Sequence, residues 1–317
     1  MDLKEMRYFA HVARAGSFSR AASELRIAQP ALSRQIRKLE DQLGVALLVR
    51  HGRGVRLTSA GALLLEGAET LSDFLSRLDE RVRAGGDAAV GHVSLGVPPA
   101  AGLLILPPTV ERFAAQWPQV TLHVREGISS SLQEWLLDGR IDIAVLHTPP
   151  PLQALTITQV LREQMVLVAP AADKPGAAHF PGETVRLRDL TEIPLIMPGL
   201  PHSNRRLLDQ ASIQHGVRLR IVLEVDSVAL TKALVMRGMG HSILTAAAVQ
   251  TEVAEGRLRA FPIDRPPLTS TLAIATLRTA RTSPPADALK RTLRDVIHEF
   301  VDSGVWKGAS RRVGSRV

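Results

Sequence analysis

The chain contains no cysteine. Disulfide staples and thiol chemistry are therefore excluded, and a cytoplasmic setting is expected. No apolar run approaches the roughly 20 residues that a membrane span needs, and the N-terminal Met-Asp-Leu-Lys-Glu lacks the apolar stretch of a signal peptide. Catalytic signatures are missing too. The ten histidines are scattered, with no His-Glu-x-x-His or Cys/His cluster that could hold a metal. There is no Gly-x-Ser-x-Gly elbow. Gly238-Met-Gly240 has no strand leading into it and no phosphate-binding lysine after it, so it reads as a turn from helix to strand. No catalytic residue, metal ligand or cofactor is assigned, and an enzyme is not expected.

What is present is basic charge, unevenly placed. The net charge is +8 over 317 residues, of which 45% are apolar, enough for two or three domains. Residues 1–58 hold eleven Lys/Arg against five Asp/Glu, and residues 305–317 hold four Lys/Arg and no acid. The remainder is slightly acidic. A basic N-terminal module attracts phosphate and releases counterions.

Phe18 to Leu43 reads as two short helices with a tight turn at Ile27–Ala28. Ser17 or Ser19 can cap the first, and Pro30 suits the start of the second. Leu32, Ile36, Leu39 and Leu43 form a buried stripe at helical spacing. Gln29, Ser33, Arg34 and Arg37 project from the opposite side. Gln can bond adenine and Arg guanine, so such a polar face suits a major groove. An ordinary amphipathic surface helix is the alternative on spacing alone. Residues 3–15 form a preceding helix with Leu3, Met6, Phe9/Ala10 and Ala13 inward, ended by Gly16.

Met6-Arg-Tyr-Phe-Ala-His-Val-Ala-Arg-Ala-Gly-Ser-Phe-Ser-Arg-Ala-Ala, Ala28-Gln-Pro-Ala-Leu-Ser-Arg-Gln-Ile, Leu39-Glu-Asp-Gln-Leu-Gly and Leu57-Thr-Ser-Ala-Gly together resemble the N-terminal domain of the LysR-type transcriptional regulators. Ala28 stands where Ser is frequent, and Leu48 where Phe is usual. The resemblance implies a winged helix-turn-helix over 1–58. Gln29, Pro30, Ser33 and Arg34 would meet base edges. Arg50, Arg53 and Thr58 would contact backbone or minor groove from the Gly-rich hairpin.

Ser59 to Arg83 reads as one long helix. Leu64, Ala68, Leu71, Leu75, Leu78 and Val82 make a heptad seam, explained by pairing with a second subunit or by packing on the rest of the chain. Residues 59–91 are thus a dimerisation linker ending in the small, polar hinge 85–91. Paired heads imply double-stranded DNA with an interrupted inverted repeat. The assembly would be a homodimer or homotetramer, with RNA polymerase as a further partner and no membrane.

Beyond the hinge, strands alternate with helices, arguing for mainly parallel sheets. Leu136-Leu-Asp-Gly-Arg-Ile-Asp-Ile-Ala-Val-Leu and Val235-Met-Arg-Gly-Met-Gly-His-Ser-Ile-Leu resemble the LysR-type effector domain. This is an α/β fold of two lobes, periplasmic-binding-protein-like, over 92–304. The resemblance implies lobe I at 92–163 and 266–304, and lobe II at 164–265. Leu48-Val-Arg-His-Gly-Arg-Gly-Val-Arg-Leu-Thr, with Pro201-His-Ser-Asn-Arg-Arg-Leu-Leu, looks most like the nitrogen-assimilation-control branch.

A small organic effector, anionic in character, would sit between the lobes, where strand ends and helix starts offer backbone N–H groups. The candidates are Pro99, Ala100, Ser129, Ser130, His202, Ser203, Asn204 and Thr245. For the serines, plain N-capping is the structural alternative. Residues 305–317 read as a basic disordered tail. A second reading, from another class, is a small-molecule-binding or transport protein whose N-terminal helices only dimerise.

Overall fold

The computed structural model describes residues 1–52, 54–83, 91–177, 180, 182–279 and 283–311, without the side chains of Arg50, Asp73 and residues 76–83. The expectations for Arg53, the hinge 85–90, and the side chains of Arg50, Leu78 and Val82 lie outside the described residues. The chain divides into two compact units, Met1–Gly86 and Asp87–Val317.

In the first unit, α1 (Leu3–Ala15), α2 (Phe18–Leu25) and α3 (Gln29–Leu43) are followed by the strands β1 (Leu48–His51) and β2 (Gly54–Leu57), then α4 (Ser59–Arg83). Each boundary has a local cause. Asp2 and Glu5 form a reciprocal capping box on α1, and Gly16 ends it in the left-handed region. Ser17 caps α2, and Gly44 closes α3. Ala28 makes no side-chain cap, as its methyl dictates. Phe9, Val12, Ala21, Leu32, Ile36, Leu39 and Leu47 are buried in one core.

Two parts of the sequence reading are corrected here. The inward stripe of α1 is Glu5, Tyr8, Phe9, Ala10 and Val12, and Leu3 is exposed. Glu5 can be buried because Lys38 Nζ lies 2.8 Å from its Oε1 and the Asp2 backbone N–H donates to its Oε2. Leu43, in the last turn of α3, is also exposed rather than buried.

β1 and β2 form the expected antiparallel hairpin. It is pinned to the end of α1, where the Val55 N–H donates to the Gly16 carbonyl at 2.9 Å. A Cβ at Gly54 would lie 2.3 Å from that same oxygen. In α4, Leu64 and Leu65 pack on the unit's own core, and Arg14 bonds Glu69. The first part of the predicted seam is therefore used within the head, while Leu71 and Leu75 stay partly exposed.

The second unit contains β3 (Gly91–Val97), α5 (Pro99–Gln116), β4 (Val120–Glu126), α6 (Ser129–Leu137), β5 (Ile143–His147) and β6 (Leu155–Pro170). Next come β7 (Val185–Arg186), a 3-10 turn (Leu187–Leu190), β8 (Pro194–Met197), α7 (Ser203–Gln214), β9 (Arg220–Glu224), α8 (Val228–Met236) and β10 (Ser242–Thr245). The unit ends with α9 (Ala246–Ala254), β11 (Leu258–Arg265), β12 (Thr269–Leu277), α10 (Pro284–Asp302) and β13 (Ala309–Arg311).

The sheet runs β4-β3-β5-β12-β6-β11-β7, with β10 and β13 also on β6. β3 pairs parallel with β4 and β5, and β8 parallel with β9, but every strand on β6 is antiparallel. The sheet is therefore mixed rather than mainly parallel, because the connections into and out of the second lobe reverse direction along one strand.

β6 is the strand that both lobes share. It pairs with β12 as far as Gln164, then with β10 and β11 from Met165 onward. The sequence suggests two strands there, since Arg162-Glu163-Gln164 interrupts an apolar run. α5 starts at Pro99, so Pro107 and Pro108 lie inside it. The second aspartate of the Leu136–Leu146 motif has a structural use. Asp142 Oδ2 accepts from both the N–H and hydroxyl of Ser94, clipping β5 to β3.

The tail is corrected as well. Residues 305–311 are ordered, with Trp306 buried in the first lobe's core and β13 paired to Leu161–Glu163. One large apolar side chain outweighs the basic character of its neighbours. Residues 312–317 lie outside the described residues.

Candidate nucleic-acid interface and small-molecule cleft

On α3, Gln29, Pro30, Arg34 and Arg37 are exposed and Ser33 is half-buried, while Leu32, Ile36 and Leu39 are sealed beneath them. The two faces are thus rigidly separated. Thr58 has a structural use in the head. Its hydroxyl donates to the Ala46 carbonyl at 2.8 Å and accepts the Gly61 N–H at 2.9 Å. It fastens the wing to the start of α4, and its one hydroxyl proton is already committed.

In the second unit, seven of the eight effector candidates line one cleft: Pro99, Ala100, Ser129, His202, Ser203, Asn204 and Thr245. Ser130 does not. The cleft lies between β3–α5, β5 and α6 on one side and α7, α8 and β10–α9 on the other. It encloses about 50 Å³, room for a few waters or a group of about that size. Several helices start on its wall. Pro98, Ile128 and Thr245 are the N-caps of α5, α6 and α9, and none provides a side-chain cap. The first-turn N–H groups of those helices therefore lack a side-chain acceptor, the usual condition for an anion site.

Ser129 is not a cap. It follows the N-cap, and its Oγ accepts the His147 backbone N–H at 2.9 Å. His202 caps α7 through Nδ1, which accepts the Asn204 N–H, so its proton sits on Nε2. Burial, reinforced by the nearby His147, pushes His202 down to about 4. It is thus a neutral hydrogen-bond donor at ordinary pH. Sequence reasoning missed His147 and Asp226, which also line the cleft. His147 ends a buried strand and Asp226 falls in a loop, and neither belongs to a motif.

Residues 3–62 match the family model for the bacterial regulatory helix-turn-helix protein, lysR family. Residues 86–297 match that for the LysR substrate binding domain. The chain belongs to the LysR family. Within that family it is 32% identical to the HTH-type transcriptional regulator BbuR of Bordetella bronchiseptica, over 99% of this chain and 95% of that one. It is 28% identical to the nitrogen assimilation regulatory protein nac of Escherichia coli, over 94% and 95%. Identity to BbuR thus exceeds that to nac. Among solved structures, CbnR, a LysR family transcriptional regulator, superposes with a TM-score of 0.69 at 24% identity, covering 94% of this chain and 99% of that one. That likeness carries the LysR fold. Among the described residues no helix is long and apolar enough to cross a membrane.

The histidines make this LysR-family fold acid-sensitive. His241 is also pushed down, first by burial and then by Arg259. A histidine whose folded value lies below its unfolded value of about 6.5 takes up its proton on unfolding. Stability is therefore complete above about pH 6.5 and falls as pH drops toward 4. For His202 the loss should reach about 2 kcal/mol. Urea unfolding at pH 7.5 and pH 4.5 measures it, and His202→Gln should flatten the difference.

Proposed function

We propose that this LysR-family protein is a sequence-specific DNA-binding transcriptional regulator controlled by a small organic effector seated between the two lobes. The observation that carries the reading is the exposed Gln29–Arg37 strip of α3, braced by buried leucines. Relatives are named as transcriptional regulators, and CbnR is known in complex with its target DNA. The protein would act in the cytoplasm as a homodimer or homotetramer on an interrupted inverted repeat, with RNA polymerase as a further partner. The effector would be anionic, received by helix starts and neutral donors. Its binding would shift the lobes and so change how paired heads sit on DNA.

Selection and sequencing of genomic fragments bound by the full-length protein tests this. The expected result is enrichment of a two-half-site sequence whose affinity falls steeply with salt. Capture of fragments without a shared sequence would instead favour a small-molecule-binding protein with a helical dimerisation module.

A further inference from the structure

One peptide in the head is gripped by several elements at once. Glu40, near the end of α3, reaches past the Gly44 turn, and its Oε1 accepts the Leu47 N–H at 2.8 Å and the Leu48 N–H at 3.1 Å. These N–H groups stand where the wing begins, at the Leu48–Leu57 pair of β1 and β2. On the other side, the Leu47 carbonyl accepts the Thr58 N–H at 3.0 Å. Gly61, in the first turn of α4, sits so close that a Cβ there would lie 2.0 Å from that same oxygen. The Leu47 side chain is itself buried in the head's core.

These contacts join the parts that would act on DNA. α3 carries the exposed strip, β1 and β2 form the wing, and α4 is the linker. The turn between α3 and β1 holds Gly44 in the left-handed region and Val45 with its side chain exposed. Neither side chain fixes the angle at which the hairpin leaves the helix. The Val55–Gly16 bond holds the hairpin to α1. Glu40 holds it to the helix that bears the strip. A carboxylate receiving backbone N–H groups makes charge-assisted bonds, stronger than those between neutral partners.

We propose that Glu40 is a positioning residue for DNA reading: it sets the distance along the duplex between the bases met by α3 and the flank met by the wing. The proposal rests on the reading of α3 as the recognition helix and adds what holds its geometry. Base edges carry the sequence, whereas backbone contacts fix register. Loss of Glu40 therefore leaves the choice of bases intact and blurs the flank. The property required is reach rather than charge. Gln presents an amide oxygen at the same distance from its Cα and can accept both N–H groups. Asp keeps the charge but falls one methylene short.

The test compares full-length wild type with Glu40→Gln, Glu40→Asp and Glu40→Ala. Amide deuterium exchange of the segment holding Leu47 and Leu48 is measured without DNA. Affinity and hydroxyl-radical footprint are measured on the operator selected by the wild-type protein. Exchange should quicken about tenfold or more in the Asp and Ala variants, with affinity falling by about as much and protection of the wing flank lost. The penalty for changing a base under α3 should stay within about threefold of wild type in all variants. The Gln variant should match wild type throughout. A wild-type footprint in the Ala variant overturns the proposal. So does an Asp variant that matches wild type while Gln fails, since charge would then be the operative property. Equal loss of flank protection and of base choice, with a lowered urea midpoint, would show general loosening and also overturns it. A wild-type protein with no preferred sequence sinks the DNA reading and the proposal together. Preserved preference with unchanged exchange sinks the proposal alone.

Discussion

Ser33→Ala combined with Arg34→Ala should abolish sequence-specific binding while leaving the helical content of the protein unchanged. Both side chains lie on the outward strip of α3, and neither belongs to the buried Leu32–Ile36–Leu39 stripe. Alanine is also the best helix former, so the helix itself gains slightly. A base-reading contact is worth about 1–3 kcal/mol of discrimination, and the proposed two-fold assembly would use each contact twice. The loss should therefore be about a thousandfold or more, enough to bring operator affinity down to the non-specific level. Fluorescence anisotropy on the selected operator and a scrambled duplex, with circular dichroism as the fold control, gives the answer. Retained preference for the operator would show that another face reads the bases.

Trp306→Ala should be the most damaging single change in the second unit. The indole is 2% exposed and belongs to the core of the first lobe. Removing so large a buried side chain costs about 3–5 kcal/mol, and it also strips Glu163 of its Oε2 donor, adding roughly 1–3 kcal/mol. That sum is comparable with the whole stability of many domains. Trp306→Phe keeps most of the packing and loses only the N–H, so it should fall in between. Urea unfolding of the three proteins decides the matter. An alanine variant within about 1 kcal/mol of wild type, inside the range of ordinary surface substitutions, would mean that the segment after α10 contributes nothing to the fold.

These two sites differ in how readable they were. The head was legible because its information is local: caps, a proline at a helix start, and leucines at helical spacing. Glu5 misled, since a carboxylate on an inward face needs Lys38, thirty-three residues away, and Leu3 and Leu43, at the helix ends, are exposed although the spacing puts them inward. In the second unit the decisive partners are distant. Glu163 looks like a break in a strand until Trp306, 143 residues on, is placed against it. The tail reads as disordered for the same reason seen from the other end. The helix starts around the cleft follow simple rules for open α/β sheets, so seven candidates came together. His147 and Asp226 carry no local signature, and only the closed fold brings them to that wall.

A strand shared by two lobes behaves as a torsion bar. Where β6 changes partners, the Gln164 N–H is also tied to the Gly308 carbonyl at 2.9 Å. Along this crossing, rocking of one lobe against the other is taken up as twist over a few peptide units of continuous strand. The restoring force is built into the backbone, so an occupant would bend the domain by a small, springy angle and the empty form would return when it leaves. A receptor built this way answers to the fraction of time it is filled.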